Sequence, residues 1–240
     1  MQQPRARVLL QWGGVGAILA SVTFLFTLIY VFVILASVGL TEAMLDAPEQ
    51  LLPWVADHAN AYAGLYWIFL CSVVVLLPAP LALDEWVKMR NPALARIALT
   101  AGLIGITLGV IGPLVNVGAT GLLARAYVTP NAADPATLTL LSAIVGEIGL
   151  LLRLISDLFL GIWLGVAGLL LINGPDRARW FGWYSIVTAL LIAFVVVGKA
   201  LTLFDLEPVL GLFLAIAYGW LGVILLRARR QLPVLEPITA

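Results

Sequence analysis

Apolar residues fall into six long runs, and polar residues collect in the short segments between them. The runs are residues 15–40, 61–83, 93–122, 135–172, 181–203 and 208–226. At about 1.5 Å per residue, each is long enough as a helix to cross most or all of roughly 30 Å of hydrocarbon. The pattern predicts an all-α fold, a polytopic membrane bundle of six transmembrane helices forming a single domain over residues 1–240. The first run is too long for the apolar region of a signal peptide and is expected to be retained.

Local signals mark where these helices start and stop. Asn91-Pro92 and Asp134-Pro135 each place a capping side chain before a proline at the first helical position. Asn173-Gly174-Pro175 is a stop signal for the fourth helix, and Pro78 and Pro80 should kink or end the second. The fourth run is unusual, since a helix over 135–172 would be roughly 57 Å long. It must tilt, bend or project past the membrane. Between the first two runs, Leu51–Asn60 (LLPWVADHAN) reads as a short interfacial helix, with Trp54 and the leucine pair in lipid and Asp57 and His58 in water.

Charge gives the orientation. Arg5, Arg7, Lys88, Arg90, Arg96, Arg177, Arg179, Arg227, Arg229 and Arg230 fall on one side of the alternating helices, ten of 13 basic residues. Glu42, Asp46, Glu49, Asp57, Asp134, Asp205 and Glu207 fall on the other, where Arg125 is the one clear loop cation. The excess of Lys and Arg marks the cytoplasmic side, so both termini are expected in the cytoplasm. Trp12, Trp86, Trp180 and Trp183 would anchor the inner interface and Trp54 the outer one.

Composition agrees with a lipid solvent. The chain of 240 residues is 62% hydrophobic and 11% charged, with a mean hydropathy of +1.08, whereas soluble domains run near 25% charged. The 13 acidic and 13 basic residues balance, which removes nucleic acid from the expected partners. The lipid bilayer and other membrane subunits remain as expected partners. The lone Cys71 and the absence of CxxC leave no disulfide framework or thiol metal site. One histidine, His58, cannot build a bis-histidine haem or a multi-histidine zinc site, and no cofactor is expected. HExxH, GxSxG and Walker A patterns are absent, so no catalytic residue or enzyme activity is assigned.

The candidate intramembrane polar site is Arg153 and Asp157, with Glu147 and Asn116 as further members. Charges at mid-membrane cost roughly 2.5–3.5 kcal/mol each on insertion scales, so they face protein or water. At about 100° per residue, Arg153 and Asp157 share a face of the fourth helix with Gly146, Gly149, Gly161 and Gly168. Ile144, Leu151, Ile155, Ile162, Val166 and Leu169 lie on the opposite, lipid-directed face. Small residues four apart should pack helices closely: Gly105 and Gly109, Gly161 and Gly165, and Gly211, Ala215 and Gly219. Lys199 should reach the outer interface or pair with Asp205 or Glu207.

From Asn91 onward, NPALARIALTAGLIG, DPATLTLL, LLRLISDLFLGIWLGVAGLLLI and NGPDRARWFGWYS resemble a family of small bacterial six-span proteins known as a domain of unknown function. The resemblance spans roughly residues 91–230. Members tend to have an acidic residue, preceded by a basic one, early in the fourth span. Asp157 matches the acidic position, with Arg153 four residues back in place of an adjacent base. The resemblance implies a multi-pass protein of the bacterial inner membrane and supplies no activity. The expected function is therefore a non-enzymatic bundle or accessory subunit of a membrane complex. The alternative is a transporter or channel-like protein for a small solute, ion or proton, built on Arg153 and Asp157.

Overall fold

The computed structural model describes residues 3–45, 47–129, 134–174, 176–201, 203 and 206–231. Asp46, Asn131, Pro175 and Asp205 lie outside them, as do the side chains of Glu42, Arg177 and Glu207. The described residues form helices and connecting turns without strands. Helix α1 is Gln3–Ile29, running into a π-helical turn at Tyr30–Leu35. Short helices α2 (Glu42–Leu45) and α3 (Pro48–Asp57) follow. Then come α4 (Ala59–Leu76), α5 (Pro78–Val87), α6 (Pro92–Val128), α7 (Pro135–Leu171), α8 (Asp176–Ala200) and α9 (Glu207–Gln231). Among the described residues, six spans are long and apolar enough to cross a membrane, α4 and α5 counting as one.

The capping signals act as expected. Asn91 accepts a hydrogen bond from the Leu94 amide and Asp134 one from the Thr137 amide, each at 3.1 Å. Pro78 and Pro80 divide the second span between α4 and α5, because proline cannot donate to the helical ladder. The first span ends at Leu35, short of residue 40, where Gly39 turns the chain at φ 86°. That left-handed conformation suits glycine.

Close helix contacts rest on small residues, since a missing side chain lets backbones approach. In the α6–α7 pair, Gly102 faces Trp163, Gly105 faces Leu160, Gly109 faces Ser156 and Asn116 lies against Gly149. This register is antiparallel, and Ser156 Oγ locks it by donating to the Gly105 carbonyl at 2.7 Å. Between α7 and α8, Gly161 meets Ile192, Gly165 meets Ala189 and Gly168 meets the Gly182 carbonyl. Between α1 and α9, Gly211 meets Leu28, Gly219 meets Ser21, and Ser21 Oγ donates to the Ala215 carbonyl at 2.7 Å.

Helices α6 and α7 each run 37 residues, roughly 55 Å. A bilayer holds about 20 residues of upright helix, or about 26 at the steepest usual tilt near 40°. At least about ten residues of each therefore project. Their ends next to Arg90 and Arg179 lie among the basic residues, and the opposite end is called here the far face. There a second hydrophobic core forms from Leu35, Leu51, Leu52, Trp54, Val55, Tyr62, Ala124 and Leu138.

This second core corrects two expectations. Helix α3 exists, but Leu51, Leu52, Trp54 and Val55 are buried against α6 and α7 in place of lipid. Trp54 donates from Nε1 to the Val38 carbonyl at 3.0 Å and stacks on His58 at 4.8 Å, so it is a core residue and not an interfacial anchor. Arg125 sits in the last turn of α6, not in a loop. Trp12, Trp180 and Trp183 are exposed at the basic end.

Candidate functional site

Helix α7 has two distinct faces. Ile144, Leu151, Ile155, Ile162 and Leu169 are exposed, while Gly149, Ser156, Leu160, Gly161, Trp163, Leu164 and Gly168 are buried. Arg153 and Asp157 lie on the packed face by helical phase. Asp157 is half-buried, yet Arg153 is exposed. Helix register accounts for the difference. Trp163 stacks on Tyr218 of α9 with centroids 6.4 Å apart. The two helices run in the same direction, so Arg153, ten residues before Trp163, stands level with Pro208, ten before Tyr218. The contact of Gly161 with Ile192 likewise brings Arg153 level with Ala200. Helix α8 ends and α9 begins at that height, and the packed face of α7 emerges from cover there.

Arg153 thus sits at an open mouth on the far side of the bundle. Its guanidinium carbon is 5.9 Å from the Phe69 ring centroid, within cation–π range. Its charge also acts on the Tyr66 hydroxyl. Tyr62 donates to Tyr66 across 3.3 Å. Tyr62 and Tyr66 thus form a hydrogen-bonded pair on α4, the helix whose Phe69 ring faces Arg153. Asp157, one turn deeper, acts electrostatically on Tyr218, which is buried at 2% exposure and packed edge-on against Phe24 at 6.3 Å. Lys199 is half-buried at the end of α8. Its helical phase matches the buried stripe of Thr188, Ile192 and Val195.

The other two candidates stand apart. Asn116 presses its amide on Gly149, about 12 Å along α7 from Asp157. Glu147 is exposed on the far-face part of α7. Sequence reasoning singled out Arg153 and Asp157 but missed Tyr62, Tyr66 and Tyr218. The four-residue spacing of Tyr62 and Tyr66 places both on one helix face, and that was the signal available.

Among the described residues, no group of three His, Cys, Asp or Glu side chains is placed to hold a metal ion. The chemistry on offer is that of an exposed guanidinium, a half-buried carboxylate and aromatic hydroxyls.

No curated protein matches the chain, and no solved structure matches it. The family described as "Domain of unknown function (DUF4386)" matches residues 12–228, a likeness that starts at Trp12 and so takes in the first two spans as well as the resemblance from Asn91 onward, as far as residue 228. With six helices among the described residues long and apolar enough to cross a membrane, the chain belongs to the DUF4386 family, a domain of unknown function.

Proposed function

We propose that the protein is a non-enzymatic membrane bundle that serves as an accessory subunit of a larger membrane assembly. We place it in the bacterial inner membrane with both termini in the cytoplasm, on the bias of Lys and Arg and the bacterial resemblance. One observation carries the functional reading: interior polar side chains hold helix to helix. Ser156 bonds Gly105, Ser21 bonds Ala215, Tyr184 bonds Phe213 and Tyr30 bonds Ala61, each through a backbone carbonyl of the facing helix. Such bonds fix packing in lipid.

The transporter reading draws on a different observation, the exposure of Arg153 above the half-buried Asp157 at the mouth. Proteoliposome assays of ion and proton flux under an imposed potential separate the two. The subunit reading expects equal flux from the parent protein and Asp157→Asn. A flux that Asp157→Asn abolishes would replace it with the transporter. Mass spectrometry of the intact assembly from native membranes should find a second polypeptide at fixed stoichiometry, and its absence would count against the subunit reading.

A further inference from the structure

The exposed face of α7 has a period that lipid contact does not require. Leu141, Ile144, Ile148, Leu151, Ile155, Leu158, Ile162 and Leu169 are exposed at spacings of three and four, interrupted only at half-buried Gly165. This is an a/d heptad seam. Leu141, Ile148, Ile155, Ile162 and Leu169 take the a positions, and the others take d. A straight helix drifts about 20° per heptad from such a repeat. Over four heptads a lipid-facing stripe tied to 3.6 residues per turn would rotate away from these positions. Yet every Leu and Ile of the seam from Leu141 to Leu169 stays exposed, between 40% and 56%.

We propose that a second copy of the chain docks on this seam, α7 against α7, as a parallel two-stranded coiled coil about a two-fold axis normal to the membrane. Four observations select this occupant. Copies inserted in the same sense meet with like helices parallel, which is the geometry that a two-fold axis along the normal produces. Isoleucine at the three central a positions with Leu151 and Leu158 at d is the composition that favours two parallel strands. The seam continues through Leu141, Ile144 and Ile148 into the part of α7 that projects from the hydrocarbon, where lipid cannot cover it. Toward the basic end, where Gly165 leaves the seam without a knob, a groove of about 330 Å³ opens between α7 and α8. Gly161, Gly165, Ala189 and Ala193 line it, and the partner's Ile162 and Leu169 would fill it.

The surface on offer is adequate. With roughly half of each large seam side chain free, the patch is on the order of 600 Å² per copy, near the lower end of standard interfaces at about 600–1,000 Å² per partner. The projecting portion adds a hydrophobic driving force that the lipid-immersed portion lacks. The dimer does not depend on the accessory-subunit reading.

Homotypic disulfide trapping tests it in native membranes of cells expressing the full chain with Cys71→Ser. Ile148→Cys, Leu151→Cys and Ile155→Cys each place a thiol on the two-fold axis. Val197→Cys and Ile111→Cys place one on lipid-exposed faces of α8 and α6. All five positions are at least 41% exposed, and melting curves check that each variant folds. Because a disulfide needs Cβ atoms within about 4.5 Å, the seam positions should give at least about tenfold more crosslinked dimer than the controls. Equal crosslinking, or more at the controls, overturns the proposal. Native mass spectrometry of gently extracted protein should show a dimer that Leu151→Ala/Ile155→Ala shifts to monomer. A monomeric parent that also fails to crosslink refutes it. A trapped dimer without a second polypeptide would sink the subunit reading alone.

Discussion

Gly168 is the tightest point of the α7–α8 contact, and adding a single methyl there should be costly. A Cβ at Gly168 would lie 2.6 Å from the Gly182 carbonyl oxygen, 2.8 Å from Ile186 Cγ1 and 3.2 Å from the Ile186 amide nitrogen. Two of these atoms are backbone, so rotamer changes cannot relieve the overlap and the helices must separate. Overpacking of this kind costs about 1–3 kcal/mol. Gly146, about six turns nearer the start of the same helix, is the internal control. A Cβ there meets nothing within 4 Å, so Gly146→Ala should gain roughly 0.5–1 kcal/mol of helix propensity. At about 2–4 °C per kcal/mol for a chain of this size, Gly168→Ala should lower Tm by roughly 2–12 °C and Gly146→Ala should raise it by a few degrees. Fluorescence-detected melting of the purified protein in one mild detergent measures both. Equal shifts in the two variants would refute the packing argument, and so would a neutral Gly168→Ala.

Two further outcomes follow from the same contacts. Ser156→Ala removes the 2.7 Å bond to the Gly105 carbonyl, worth about 0.6–1.7 kcal/mol between membrane helices, and melting should fall by a few degrees, with no change expected only if the bond is absent. Trp54→Ala empties the centre of the far-face core, at a cost of about 3–5 kcal/mol if the site does not collapse. Limited proteolysis should then cut residues 40–60 much faster while the spans stay protected, and unchanged cleavage would mean α3 does not rest on α6 and α7.

The six spans were legible because six apolar runs of membrane length leave too little polar surface for a fold in water, and Asn91, Asp134 and Pro78 marked helix ends through purely local chemistry. Phase gave most of the two faces of α7, but Gly146, assigned to the packed face, is exposed with nothing within 4 Å of a Cβ, and Val166, assigned to lipid, packs on the core. What covers an apolar face was not. The pattern of α3 marks Leu51, Leu52 and Val55 as apolar but cannot distinguish lipid from α6 as the surface they meet. The far end of α6 was lost for a related reason. Arg125 broke the apolar run and suggested an end at residue 122, whereas Ala124 is fully buried in the second core and helix continues to Val128. Phase alone did not settle the exposure of Arg153. Phase puts it on the packed face, and only the register of α8 and α9 shows that the cover stops at its height.

Cysteine accessibility along α7 tests most directly that this helix crosses the membrane and projects from its far face. With Cys71→Ser as background, Thr139→Cys and Glu147→Cys should react with an impermeant thiol reagent in intact cells. Gly161→Cys is avoided because that position is packed, and Ile162→Cys and Leu169→Cys should stay unreactive even after the membrane is opened. Asn173→Cys should react only once the cells are permeabilised, which also fixes the basic face as cytoplasmic. Reaction of Asn173→Cys in intact cells would invert the orientation. Protection of Glu147→Cys together with Thr139→Cys, in a protein that still melts normally, would contradict the projecting far-face core.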